Sequence, residues 1–211
     1  MQNEGNGNVV GLWHWRIPRL TVGLSLLSFA AIFAIGGFNE ESTRQCIRLS
    51  AKVSVVLFCM AFSASAVQGL LRNVFTFWWR MNRKYFGISF AIVHLLHLAF
   101  LVLLQQCFHP VFTLAKTSSL VAGGGAYMFV VLMLLTSFER FSKHLTKRQW
   151  KLLHTVGGWW IWAVFASSYF KRVLHGEWEY LPWALLVLAT GLVFLPRWVG
   201  VLVKRLRDEP A

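Results

Sequence analysis

Apolar runs of membrane-spanning length, each closed by charges, proline or a polar cluster, recur six times along the chain. They cover residues 20–38, 49–71, 85–108, 119–138, 150–170 and 180–196. A helix of about 20 mostly apolar residues matches the hydrocarbon thickness of a bilayer. The runs are continuous rather than alternating, and in lipid each backbone polar group must be satisfied within the protein, which selects helices over a barrel. The pattern therefore predicts an all-α integral membrane bundle of six transmembrane helices. Its last run could continue to Val203 with a kink at Pro196, which lacks a backbone donor and is followed by Arg197. Residues 1–19 form a polar segment, 20–203 one membrane domain and 204–211 a short tail. The polar, Gly/Asn-rich opening lacks the features of a cleavable signal, and the first run is long enough to remain as an anchor.

Composition narrows the chemistry. The 211 residues are 56% hydrophobic and 14% charged, against about 25% charged in ordinary soluble domains. The eight acidic residues, Glu4, Glu40, Glu41, Glu139, Glu177, Glu179, Asp208 and Glu209, all fall between or beyond the apolar runs. Carboxylate-based proton antiport, di-metal carboxylate chemistry and two-carboxylate glycoside hydrolysis thus lose their basic equipment. The formal net charge of +13 does not point to nucleic acid, because the Lys and Arg residues sit at the ends of the runs. Counted on alternate sides, fifteen stand on the side of the termini and six on the other, which puts both termini in the cytoplasm under the positive-inside bias. Trp13, Trp15, Trp78, Trp79, Trp150, Trp178 and Trp183 cluster near run ends, as an aromatic belt does. Neither a GxGxxG nor a GxxxxGK[ST] motif occurs, and Gly123, Gly124 and Gly125, inside the fourth run, point to close helix approach rather than phosphate binding.

Three ionisable side chains remain inside apolar runs: His94 and His97 on the third and His154 near the start of the fifth. A lone intramembrane histidine more often ties one helix to another by a hydrogen bond. Three on two runs, with no carboxylate to complete a proton relay, move the balance toward metal ligation, since neutral imidazole binds iron without a counter-charge. His94 and His97 differ in direction by about 60° on a helix, so both can face one interior. Zinc would need three or four N or S ligands in tetrahedral array, which this spacing does not supply. Two histidines on facing helices fit a bis-imidazole haem, with Gly157 and Gly158 either leaving room for a porphyrin or packing helices tightly.

The stretch from Asn82 to His97, NRKYFGISFAIVHLLH, resembles the third-span opening of the ferric reductase-like transmembrane domain family, with Arg83, Lys84, Gly87 and His97 at matching places. The stretch from Leu134 to His154, LLTSFERFSKHLTKRQWKLLH, resembles the fourth-to-fifth junction of the MsrQ (YedZ) haem subunits of bacterial methionine sulfoxide reductase systems, through Thr136, Ser137, Trp150 and His154. The resemblance extends over residues 20–203. It implies that His97 and His154 are the axial ligands of a b-type haem toward the cytoplasmic half of the membrane, with His94 as ligand, hydrogen-bond partner or structural residue. Arg83, Lys84 and Arg197 become candidate partners of the haem propionates. Members of the family carry a further histidine about thirteen residues after the first on the fifth span. Here that place holds Ser167, which cannot replace imidazole, so one haem is expected, with His109 and His175 as the only other outer histidines.

The expected function is that of a membrane b-type cytochrome in a bacterial inner membrane. It would carry electrons from a cytoplasmic flavin reductase or the quinol pool, with FMN or quinone as a further candidate cofactor at the cytoplasmic side, to a periplasmic oxidoreductase or ferric iron. No flavin or nicotinamide domain is encoded, and the cationic loops suit docking of an acidic reductase. The alternative is a cofactor-free six-span transporter or membrane scaffold. Cys59 reads as a packing residue, and Cys46 and Cys107, both near the outer side, are expected to be unpaired.

Overall fold

The computed structural model describes residues 14–109 and 115–196, and among them every regular element is helical. In chain order these are α1 (Arg16–Gly36), α2 (Glu40–Leu70), α3 (Val74–Phe108), α4 (Ala115–Leu135), a single turn α5 (Glu139–Ser142), α6 (Lys147–Leu174), a 3-10 turn (Trp178–Tyr180) and α7 (Leu181–Leu192). The expected segments 1–13, 197–203 and 204–211, and with them Arg197, lie outside the described residues.

Local chemistry sets several boundaries. The Asn39 side chain accepts from the Ser42 amide at 2.8 Å to start α2, and Asn73 accepts from Thr76 at 2.8 Å to start α3. Thr146 and Gln149 form a reciprocal capping box at the start of α6. Gly37, at φ +74°, carries the chain out of α1 in a conformation that favours glycine. These caps place helix starts earlier than hydropathy does: α2 and α3 each begin roughly ten residues before their apolar runs, so that Arg80, Arg83 and Lys84 lie on the first turns of α3.

Three helices, Arg16–Gly36, Glu40–Leu70 and Val74–Phe108, are long and apolar enough to cross a membrane, and Val121–Leu135 forms a shorter apolar helix. The fifth run is a 28-residue helix, but four tryptophans and its charged ends lower its hydropathy. The sixth run is helical over Leu181–Leu192, 12 residues, and turns at Val193 and Phe194; its expected continuation over 197–203 lies outside the described residues.

Short connections make successive helices run in opposite directions, so α1, α3 and α6 start at one end of the bundle and α2, α4 and α7 at the other. The closest packing is between α2 and α3. Ser42, Cys46, Ser50 and Ser54 are all buried and recur every four residues along α2, a stripe of small side chains that lets α3 approach. Phe58, Phe90 and Phe165, from α2, α3 and α6, meet with ring centroids 5.3 to 6.2 Å apart at the middle of the core. The three cysteines are free; Cys46 and Cys59 are buried and Cys107 is exposed.

Candidate functional site: two cavities along α3 and α6

The aromatic layer separates two cavities. The first, about 260 Å³, is bounded by the start of α2, the end of α3, the start of α4 and the end of α6, and both His94 and His97 line it. The second, about 470 Å³, is bounded by the opposite ends of the same helices and holds His154. Pockets for drug-sized ligands and cofactors fall at roughly 300–1,000 Å³, which admits the second and leaves the first room for a smaller ligand only.

Each histidine has a distinct setting. His97 Nδ1 lies 3.1 Å from the Ile47 carbonyl and 3.0 Å from Ser50 Oγ, both on α2. Ser50 already donates its hydroxyl proton to the Cys46 carbonyl at 2.7 Å, so the proton on the shared contacts belongs to Nδ1 and Nε2 carries the lone pair. Metal-binding histidines are oriented in this way by a carbonyl behind the ring. His94 stacks with Phe90, Tyr127 and His97, at 5.3, 4.8 and 5.5 Å, and its buried Nδ1 has no hydrogen-bond partner among the described residues. His154 Nε2 lies 3.1 Å from Thr136 Oγ1, whose own proton goes to the Leu132 carbonyl at 2.7 Å. His154 is therefore protonated on Nε2, with Nδ1 as its acceptor nitrogen, and its ring stacks on Trp150 at 4.1 Å.

The residues of the second resemblance come together. Thr136, Ser137, Trp150 and His154 all line the larger cavity, joined there by Arg83, Lys84 and Gly87 of the first and by Arg80. Trp150 Nε1 donates to the Thr136 carbonyl at 3.1 Å, fixing the indole against the end of α4. Arg83 donates to Ser65 at 2.9 Å. Gly158 lines this cavity under Phe62, whereas a Cβ at Gly157 would fall 2.8 Å from Met133 Sδ, so tight packing accounts for Gly157. Of the three glycines on α4, only Gly125 is approached closely, by the Trp160 ring at 3.2 Å.

His97 and His154 are not brought together. His97 shares its cavity with Phe165 and Ser168, and His154 shares its own with Gly87 and Gly158. Gly87 and His97 are ten residues apart, about 15 Å of helix, whereas two imidazoles on one iron stand about 4 Å apart, two metal–nitrogen bonds of about 2 Å. The expected bis-imidazole pair is thus unassembled, because helix packing sets the two rings at different depths. Ser167 is exposed and its hydroxyl turns back to the Val164 carbonyl at 3.0 Å. His175 Nδ1 donates to the Lys171 carbonyl at 2.6 Å, and His109 ends α3; neither lines either cavity. Among the described residues no group of three or more His, Cys, Asp or Glu is placed to hold a metal ion.

For a haem, the residues of the larger cavity fit in part. One imidazole, three basic side chains, Arg80, Arg83 and Lys84, and two glycines at the wall are the right chemistry for iron, propionates and a close ring, but no second imidazole lines it among the described residues. Sequence reasoning did not find Tyr127, Tyr169, Ser50 or Ile47. Ser50 had a signal, as a polar residue in an apolar run on the stripe with Cys46 and Ser54. No protein-family model matches the chain, and no curated protein matches it either.

Proposed function

We propose that the protein is a six-span membrane b-type cytochrome with both termini in the cytoplasm, an electron carrier of the ferric reductase-like kind. The observation that carries this reading is the larger cavity. It combines His154, held in one tautomer by Thr136, with Arg80, Arg83 and Lys84 in a space of about 470 Å³. Haem, when bound there, would supply one-electron redox chemistry. His154 would ligate through Nδ1, the basic side chains would pair with propionates, and Phe58 and Phe90 would close the site toward the bundle centre. Electrons would come from a flavin reductase or quinol and leave to a periplasmic oxidoreductase or ferric iron in a bacterial inner membrane. A visible absorption spectrum of protein purified from haem-replete cells tests the reading: a reducible Soret band of near-stoichiometric intensity supports it, and colourless protein rejects it.

A second reading has its own support. His97 and His154 each have a hydrogen-bond partner on a neighbouring helix, which is what a cofactor-free transporter or scaffold would need of them. The same spectrum separates the two.

A further inference from the structure

The smaller cavity has a feature that haem at His154 leaves unused. His94 Nδ1 and Tyr169 Oη are both buried without a hydrogen-bond partner among the described residues, and both side chains line this one space. The residues are 8% and 5% exposed. An unpaired buried polar group costs roughly 1–3 kcal/mol, so two of them on facing helices, α3 and α6, describe a site that a ligand's polar atoms complete.

The surroundings define that ligand. Ala51, Gly123, Ala126, Ile161 and Phe165 make much of the wall small and apolar, and no carboxylate lines it among the described residues. The two cations among its described lining residues are each paired, Arg48 with Glu41 at 3.2 Å and Arg172 with Glu177 at 2.9 Å, which weakens their attraction for an anion. The volume of about 260 Å³ holds a single ring but neither a porphyrin nor a flavin. Tyr169 has a proton to donate to an oxygen acceptor, and the imidazole of His94 can exchange a hydrogen bond with a second oxygen across the ring. Leu101 and Ser168, both exposed, are part of the lining and leave the space open at the flank of the bundle, the route for a molecule dissolved in lipid.

We propose that this cavity binds the head group of a quinone or its hydroquinone, with Tyr169 donating to one ring oxygen and His94 bonding the opposite one. The site deepens the electron-carrier reading, on which it rests for the choice of a redox-active ring, and it lies at the end of the bundle away from His154.

The experiment titrates decylubiquinone into detergent-solubilised full-length protein, follows binding by quenching of tryptophan fluorescence, and measures haem in the same samples by pyridine haemochrome. The expected result is saturable binding that weakens about tenfold in Tyr169→Phe and in His94→Phe and is unchanged in His154→Ala. Because the Tyr169 hydroxyl has no partner to lose among the described residues, Tyr169→Phe should melt at or above the wild-type temperature without quinone, which separates lost binding from lost folding. Equal affinity in wild type and Tyr169→Phe, or no saturable binding, overturns the site. Haem that is retained in wild type and lost in Tyr169→Phe also overturns it, since the porphyrin would then occupy this space. Quinone binding in protein that never contains haem upholds the site and rejects the cytochrome reading instead.

Discussion

His97 Nδ1 sits 3.1 Å from the carbonyl of Ile47, one helix away. The bond crosses the α2–α3 seam where the side chains are smallest, so it fixes both the ring and the spacing of the two helices. Ser50 shares the contact at 3.0 Å. Ser50→Ala should cost about 1 kcal/mol, the net worth of a typical hydrogen bond, read as a lower melting temperature in detergent. Ser54→Leu, at a fully buried position on the same stripe, should cost more, about 1–3 kcal/mol from overpacking. An equal or smaller loss than Ser50→Ala would mean that the seam is looser than described.

Haem retention should depend on His154 and on the residue that orients it. His154→Ala is expected to abolish the Soret band, and Thr136→Val to lower haem affinity about 10- to 100-fold, the usual effect of removing a partner behind a ligand. His97→Ala should leave the haem in place, because His97 faces the other cavity. Loss of haem in His97→Ala would show that the two rings reach a common depth after all.

With one imidazole at the larger cavity, the ferric spectrum should be high-spin, and added imidazole should convert it to low-spin. A low-spin spectrum in protein as purified would require a second strong-field ligand there and would refute the single-histidine seat.

Glycine substitutions should rank by the space each position offers. At Gly191 a Cβ would lie 2.6 Å from Trp162, whose indole is anchored to the Val187 carbonyl at 2.9 Å, so Gly191→Ala should destabilise by about 1–3 kcal/mol. At Gly157 a Cβ meets the end of the flexible Met133 side chain at 2.8 Å and the Phe129 ring no closer than 3.0 Å, so Gly157→Ala should cost less. Gly124→Ala meets nothing within 4 Å and should stabilise α4 by about 0.5–1 kcal/mol. Thermal denaturation of the three variants would show any other order.

The proposed topology predicts that impermeant maleimide added to intact cells labels cysteines introduced at Glu40 and Glu177 but not at Lys143 or Lys147. Native Cys107 is exposed and must first be replaced by Ser. Labelling at Lys143 from outside would invert the arrangement.

Much of the fold was legible along the chain, because the interactions that decide it are local or belong to the solvent. Twenty-residue apolar runs can satisfy their backbone in lipid only as helices, and Asn39, Asn73 and Thr146 stop or start those helices through bonds three residues long. The grouping of Thr136, Ser137, Trp150 and His154 was also legible, since a short connection returns α6 to the end of α4. The pairing of His97 with His154 was not. Sequence spacing gives the face of a helix on which a histidine lies, whereas its depth relative to a ring on another helix depends on how far two helices slide and how closely they cross. Those quantities are fixed by contacts between residues far apart in sequence: the small stripe of Ser42, Cys46, Ser50 and Ser54 against α3, and the Phe58, Phe90 and Phe165 layer that divides the interior. For the same reason Tyr169, which reads as one more aromatic on an apolar run, comes to line one cavity with His94 only once α3 and α6 face each other across it.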